Sequence, residues 1–225
     1  MRQFYEREGM RYWEAGDMFP PKMTIAKAAD ALARIPALHH PGEKITYGYS
    51  TDLLGRLIEV WSGKPLNVFL RESVLDHAAS RPFNDGFEFL SSGGGLLSTA
   101  RDYAKFCRML VDDGQFRGRR LLKSETVKLM FTDQLTDVGG PFKFGLRFAI
   151  EEIKLSSGEA QRNTTQYSWG GYASTELRIV PAERLIQIFA RQQIPYTQDL
   201  AKKQFAIVYE GLAVPSSAEA PTRSR

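Results

Sequence analysis

The hydrophobic period of this chain changes near Pro141, and that change decides which architectures are open to it. Before it, apolar residues recur three and four positions apart, as on one face of a helix. After it, Phe144, Leu146, Phe148 and Ile150 alternate with Gly145, Arg147 and Ala149, the period of a half-buried strand. A second strand is predicted from about Tyr167 to Val180. A third runs from Leu185 to Arg191, joined to the second through Pro181-Ala182-Glu183, and such short links imply antiparallel pairing. Helical spacing returns at Leu200, Gln204, Ile207, Val208 and Leu212. Helices, then strands, then a closing helix is an α+β order with segregated layers, not a series of βαβ units.

The helical half reads in detail. Thr24 caps a helix through Ile35 that Pro36 stops, and Leu38-His39-His40-Pro41-Gly42 is a loop. From Thr51, the residues Leu53, Leu54, Leu57, Ile58 and Trp61 share one face, Asp52 suits the first turn, and Gly63 follows the end; the expectation is a buried helix. A second helix from about Leu66 to Asp76 turns Leu66, Phe69, Leu70 and Val74 inward. Between His77 and Leu90 the pattern dissolves, and Ser91-Ser92-Gly93-Gly94-Gly95 turns the chain toward a further helix. There the Thr99-x-x-Asp102 spacing resembles a capping box, Tyr103, Phe106, Met109 and Leu110 face the core, and Gly114 ends the run. Ser124 is expected to cap a short helix through Met130. The tail 214–225 is Ser, Ala, Pro and Arg without a core pattern and is expected to be disordered, which leaves one domain over residues 1–213.

Composition narrows the function. A chain of 225 residues, 43% hydrophobic and 25% charged, is one ordinary globular domain. Its net charge of +4 comes from 30 basic and 26 acidic residues spread along the chain, which is a solvated surface and not a nucleic-acid footprint. Cys107 is the single cysteine, so no internal disulfide forms, and its apolar setting predicts a buried small hydrophobe. Adjacent His39 and His40, with only His77 besides, have no metal-ligand spacing, and Gly93-Gly94-Gly95 lacks the Lys-Ser/Thr that a phosphate loop carries; no cofactor is implied. Met1 to Tyr12 is charged and unlike a signal peptide, and nowhere do about 18 apolar residues run together, so the expectation is a cytoplasmic chain without a membrane span.

Two stretches are candidates for chemistry. Tyr47-Gly48-Tyr49-Ser50 lies on a loop directly before the strongest helix, where a phenol can be held while reaching a cleft; alone it reads equally as a packed aromatic loop. Trp169-Gly170-Gly171-Tyr172 lies in a predicted strand, where two glycines waste β propensity unless something approaches the backbone closely or a bulge forms beside the tryptophan.

In order, the chain gives Tyr47-Gly48-Tyr49-Ser50-Thr51-Asp52-Leu53-Leu54-Gly55-Arg56-Leu57-Ile58-Glu59, then Gly93-Gly94-Gly95-Leu96-Leu97-Ser98-Thr99-Ala100-Arg101-Asp102-Tyr103, then Trp169-Gly170-Gly171. The series resembles the serine β-lactamase-related family, which holds class C β-lactamases, esterases and DD-peptidases, over about Leu38 to Pro195. The resemblance implies a β-lactamase/transpeptidase-like fold, an antiparallel sheet flanked by helices. It gives Tyr47 the place of the tyrosine that works beside a lysine as general base for a serine nucleophile, since a nearby ammonium favours a phenolate. Tyr49 stands where that motif has Asn. Trp169-Gly170-Gly171 stands where penicillin-recognising members carry Lys-Thr-Gly; tryptophan there implies an uncharged ester, amide or peptide-like ligand, with the Tyr172 N–H as an oxyanion donor and Gly94 and Gly95 near the cleft.

One part of the pattern is missing. The family's nucleophile sits in Ser-x-x-Lys at a helix start well upstream of the tyrosine, and no serine in this sequence has lysine three residues later. Thr24-Ile25-Ala26-Lys27 is the nearest imitation, and it reads as a helix cap. The chain is therefore expected to be the C-terminal portion of such a domain, inactive alone, whose Ser and Lys come from a missing N-terminal segment or a second chain. A non-catalytic module that binds a ligand or peptide is the alternative. Loss of upstream strands is expected to leave a sheet edge and one open apolar face.

Overall fold

A computed structural model of the protein describes residues 23–73, 89–94, 96–138, 142–157 and 160–212. The expectations for Met1 to Tyr12, for the end of the second helix at Val74–Asp76, for most of the irregular stretch from His77, for Gly95 and for the tail 214–225 fall outside the described residues. The chain divides into two compact units, Met1–Tyr103 and Ala104–Arg225.

In the first unit, helix α1 (Ile25–Ala33) begins as its cap predicts, with the Lys27 N–H donating to Thr24 Oγ1 at 3.3 Å. Ala28 and Ala31 of α1 pack with Phe89, and Met23, Leu32 and Ile35 close the cluster. Helix α2 (Ser50–Ser62) ends on Gly63 in the left-handed conformation, φ 67°, and helix α3 (Leu66–Ser73) follows. The face expected to be buried on α2 is not. Asp52 and Gly55 are its buried residues, while Leu54 and Trp61 are 58% and 78% exposed and Leu53, Leu57 and Val60 also face outward. Gly55 is where the helix comes closest to its neighbours: a Cβ there would stand 2.4 Å from Ser92 Oγ and 3.0 Å from Ile25 Cδ1. A small residue lets α2 approach α1 and the 91–94 turn along this edge, and the leucines are turned away from it.

Helix α4 (Ala100–Val111) starts on Thr99. The Asp102 N–H donates to Thr99 Oγ1 at 3.1 Å, and the Thr99 hydroxyl lies 3.0 Å from Asp102 Oδ2, so aspartate closes the box side chain to side chain. In the second unit a short hairpin, β1 (Gln115–Phe116) and β2 (Arg119–Arg120), leads to helix α5 (Ser124–Phe131). Ser124 is not the cap of α5 as expected; Lys123 holds that position, and the Ser124 hydroxyl donates instead to Asp113 Oδ2.

The sheet has five antiparallel strands in sequence order: β3 (Lys143–Phe144), β4 (Ala149–Ser157), β5 (Ala160–Gly170), β6 (Glu176–Val180) and β7 (Leu185–Phe189). The three predicted strands are thus corrected in two places. The run from Phe144 to Ile150 is two strands, because the Gly145 N–H turns back to the Phe148 carbonyl at 2.8 Å. The run from Tyr167 to Val180 is the end of one strand and the whole of the next, with a turn at 171–175 between them. The part of β4 beyond Ile150 and β5 as far as Gln166, polar apart from Ile153, Leu155 and Ala160, form most of the longest ladder.

Both faces of this sheet are covered. Leu177 and Ile179 pack with Cys107, Met109 and Leu110 of α4, Val127 of α5 and Phe148. Helix α6 (Asp199–Glu210) covers the other face: Ala201 and Phe205 are buried, the Arg178 guanidinium lies over the Phe205 ring at 4.2 Å, and the Tyr209 hydroxyl donates to Gln166 Oε1 at 2.6 Å. Leu200 and Ile207, which mark the helical spacing in the sequence, are exposed, one position out of register with the buried stripe. Among the described residues the open apolar face is on α2 and not on the sheet.

Candidate functional site

Tyr47 stands on the loop before α2 with 61% of its surface exposed. That loop is tied to the preceding one by His39, whose Nδ1 lies 3.1 Å from the His40 carbonyl and whose Nε2 lies 2.9 Å from Thr46 Oγ1. A ring with an N–H on Nδ1 donates to the first and accepts from the second, so the histidine is spent on geometry one residue before the phenol. Tyr49 precedes α2 and is buried, and its carbonyl accepts from the Leu53 N–H at 3.1 Å.

The 91–94 turn is fastened to the same helix. Asp52 is 6% exposed, and its Oδ1 accepts from the Ser91 hydroxyl at 2.7 Å and from the Gly93 N–H at 3.4 Å. Ser91 Oγ in turn accepts from the Gly94 N–H at 3.0 Å, and the Ser92 hydroxyl donates to the Thr51 carbonyl at 2.5 Å. The aspartate read from sequence as a first-turn charge is therefore the anchor of the glycine turn. A buried carboxylate with two or more donors is stable where a lone one is not. The fold thus brings the Tyr47 element and Gly93-Gly94 together through Asp52, a residue the sequence singles out only for its place in the helix. Its partner Ser91 lies 39 positions away, beyond the reach of any local sequence signal. Thr24, the imitation nucleophile, spends its hydroxyl on the α1 cap, and Lys27 is exposed.

In the second unit, Trp169 and Gly170 close β5, while Gly171 and Tyr172 begin the turn, so the predicted strand placement of Gly171 and Tyr172 is corrected. The last β4–β5 pair is Ala149 with Ser168; the β5–β6 ladder continues through Trp169 with Leu177 and Gly170 with Glu176. The strand end thus outruns the β4 ladder. Trp169 meets Phe144 edge-on, with ring centroids 4.9 Å apart and 77° between planes.

The two glycines do admit something close to the backbone, and it is this chain's own side chains. A Cβ on Gly170 would stand 2.8 Å from both Glu176 Oε1 and Tyr196 Oη, and a Cβ on Gly171 would stand 2.2 Å from Thr175 Oγ1. The Gly171 N–H donates to the Thr175 carbonyl at 2.8 Å and closes the turn. Glu176 is 5% exposed, and its Oε1 accepts from the Tyr196 hydroxyl at 2.5 Å and from Gln198 Nε2 at 3.0 Å. Burial first, and then the hydrogen bond to Glu176 and its charge, push the Tyr196 phenol up to about 12. Ser174, fully buried at φ 65°, donates to the Gln193 carbonyl at 2.8 Å and accepts from the Thr197 N–H at 3.1 Å. The bonds that join Ser174 and Glu176 to Gln193, Tyr196 and Gln198 span about 20 residues and leave no local sequence signal.

A family model described as Beta-lactamase matches residues 7–207. Protein Rv1367c of Mycobacterium tuberculosis is 30% identical over 213 residues, covering 73% of this chain and 53% of that protein. The chain thus spans about half the length of the curated relatives it matches. Among solved structures, EstCE1, a hydrolase with promiscuous acyltransferase activity, is similar with a TM-score of 0.70 at 16% identity, over 92% of this chain and 66% of its own. Unliganded simvastatin synthase (LovD) from Aspergillus terreus is similar with a TM-score of 0.65 at 21% identity, over 83% and 60%. At such identities the likeness concerns the fold.

Proposed function

The chain belongs to the beta-lactamase family, and from that premise we propose that it carries the base and substrate-wall half of an esterase-like serine hydrolase whose nucleophile is not among its 225 residues. The observation that carries this reading is Tyr47: a phenol 61% exposed at the mouth of α2, on a loop braced by His39, in the family's order before the glycine turn and Trp169-Gly170-Gly171. In the proposed reaction a serine supplied from outside these residues attacks a small uncharged ester or amide. Its proton passes to the Tyr47 oxygen as it adds to the carbonyl, with the Tyr172 N–H stabilising the oxyanion; the C–O or C–N bond to the leaving group then breaks, the alcohol or amine departs with that proton, and water frees the acid from the acyl–serine by the same path. Tryptophan at position 169, in place of a cation, suits an uncharged ligand. The fold shared with a hydrolase of acyltransferase activity points the same way.

Alone, the chain is proposed to be inactive. Purified protein is expected to hydrolyse p-nitrophenyl butyrate no faster than its Tyr47→Phe variant, and to take no label from a fluorophosphonate. Turnover well above the Tyr47→Phe control would show that a nucleophile is present after all. The second reading, a non-catalytic module that holds a small ligand or peptide, is favoured by the absence of Ser-x-x-Lys from the sequence. Saturable ligand binding without turnover, even when an upstream Ser-x-x-Lys segment is co-expressed, would select it.

A further inference from the structure

The strand end Trp169-Gly170-Gly171 is held from beneath by a cluster that the proposed chemistry does not use. Gly170 pairs with Glu176 across the β5–β6 ladder, so the Glu176 side chain stands on the same face as the missing Gly170 side chain. Into that space come the Glu176 carboxylate and the Tyr196 hydroxyl, 2.5 Å apart, with Gln198 Nε2 donating to Glu176 at 3.0 Å and to Tyr196 Oη at 2.7 Å. The same loop is joined to the 171–175 turn by the Gln193 N–H to the Ala173 carbonyl, at 2.9 Å, and by both hydrogen bonds of Ser174. The loop is therefore attached to the turn at its start and to the strand end at its finish. Its apolar side chains nonetheless face outward: Ile194 is 60% exposed and Tyr196 47%.

We propose that Tyr196, anchored by Glu176, is a positioning residue that fixes the Gly170–Gly171 backbone, and that the loop Gln193–Gln198 is a further wall of the ligand site, receiving the apolar part of the ligand on Ile194 and the Tyr196 ring. This inference rests on the reading of Trp169-Gly170-Gly171 as substrate wall. Any residue with a Cβ at position 170 would displace the pair, and loss of the phenol hydroxyl would leave Glu176 held by Gln198 alone and the loop free to shift against the strand end.

The test uses the whole chain, 15N-labelled, titrated with butyranilide, an uncharged anilide. Wild type is expected to show saturable shifts at the Trp169 indole and at the Gly170, Gly171 and Tyr172 amides. Tyr196→Phe keeps the ring and loses the anchor, and is expected to bind about tenfold more weakly, the worth of one well-placed hydrogen bond. Glu176→Gln, which retains an acceptor oxygen, is expected to lose less and to bring the Tyr196 titration down toward the ordinary phenol range. Ile194→Ser, on an exposed position that leaves the fold untouched, is expected to weaken binding without moving the Gly170 and Gly171 amides of the free protein. Leu110→Ala serves as the control for mere destabilisation, lowering Tm with affinity unchanged. Tyr196→Phe and Ile194→Ser both within twofold of wild type would overturn the inference and leave the ligand site standing. Absence of saturable shifts in wild type would instead remove the ligand site itself, and this inference with it.

Discussion

Helices α2 and α4 have nearly the same length and the same kind of apolar stripe, yet only α4 buries most of it, Tyr103 at its start being exposed. On α4, Cys107, Met109 and Leu110 meet the sheet through Leu177 and Ile179. On α2, the interior is reached by Asp52 and Gly55, and the leucines face outward. Periodicity says which residues share a face; whether that face is the one that packs depends on what the rest of the chain brings to it. At α2 the neighbours are α1 and a serine-glycine turn, whose hydroxyls and N–H groups need a carboxylate more than a methyl group.

The largest effect is expected where the contrast is sharpest, in the filled core of the second unit. Phe205→Ala removes a fully buried ring that also carries the Arg178 guanidinium, and Leu110→Ala empties a site in the α4 core; each is expected to cost about 3–5 kcal/mol in urea unfolding. A loss under about 1 kcal/mol at either position would mean that this core is no better packed than the α2 face.

Next comes the close approach on α2. Gly55→Ala puts a methyl group 2.4 Å from Ser92 Oγ and 2.9 Å from its Cβ, and is expected to destabilise by about 1–3 kcal/mol. Ser92→Gly in the same chain removes both contacts, and the double variant is expected to recover part of that loss. Additive losses would show that Gly55 is required for some reason other than room for Ser92.

Alkaline pH is expected to weaken the second unit. Burial pushes the Cys107 thiol from an ordinary value near 9 up to about 12, and Tyr196 rises from near 10 to about 12. Both folded groups hold their protons more tightly than the unfolded chain does, so their contribution is complete below pH 9 and is lost as pH rises through about 12. A series of Tm values across that window is expected to fall, and Tyr196→Phe to flatten the part above pH 10. A flat profile in wild type would remove both shifts.

What was legible in the sequence divides along the same line. The α+β order, the caps at Thr24 and Thr99, the αL end at Gly63 and the burial of Cys107 are set by local chemistry or by period, and all are found. The β-lactamase-like fold followed from three motifs in order. The β4–β5 ladder was missed because its buried residues include Thr164 and Gln166 beside Leu155; Gln166 is buried by bonding to Glu151 and Tyr209, a solution invisible to a hydrophobic pattern. Likewise Asp52 and Glu176 anchor the two candidate site elements through partners about 20 to 40 residues away, and no spacing rule reaches that far. Where glycines predicted a close approach, the approach is real, and the visitor at Gly170 is Glu176 with Tyr196.

The smallest expected effect decides the comparison. Trp61 is 78% exposed, and its replacement by serine removes a large ring that the rest of the chain scarcely touches. A substitution at such a position is expected to change unfolding free energy by less than about 0.5 kcal/mol, because little apolar area is exchanged with water on folding. Leu54→Ser is expected to behave alike. A cost above about 2 kcal/mol at either position would place the α2 stripe under cover in solution and restore the buried helix that its periodicity predicts; a negligible cost at both, beside a large one at Leu110, would leave α2 and α4 as two helices of one pattern with different partners.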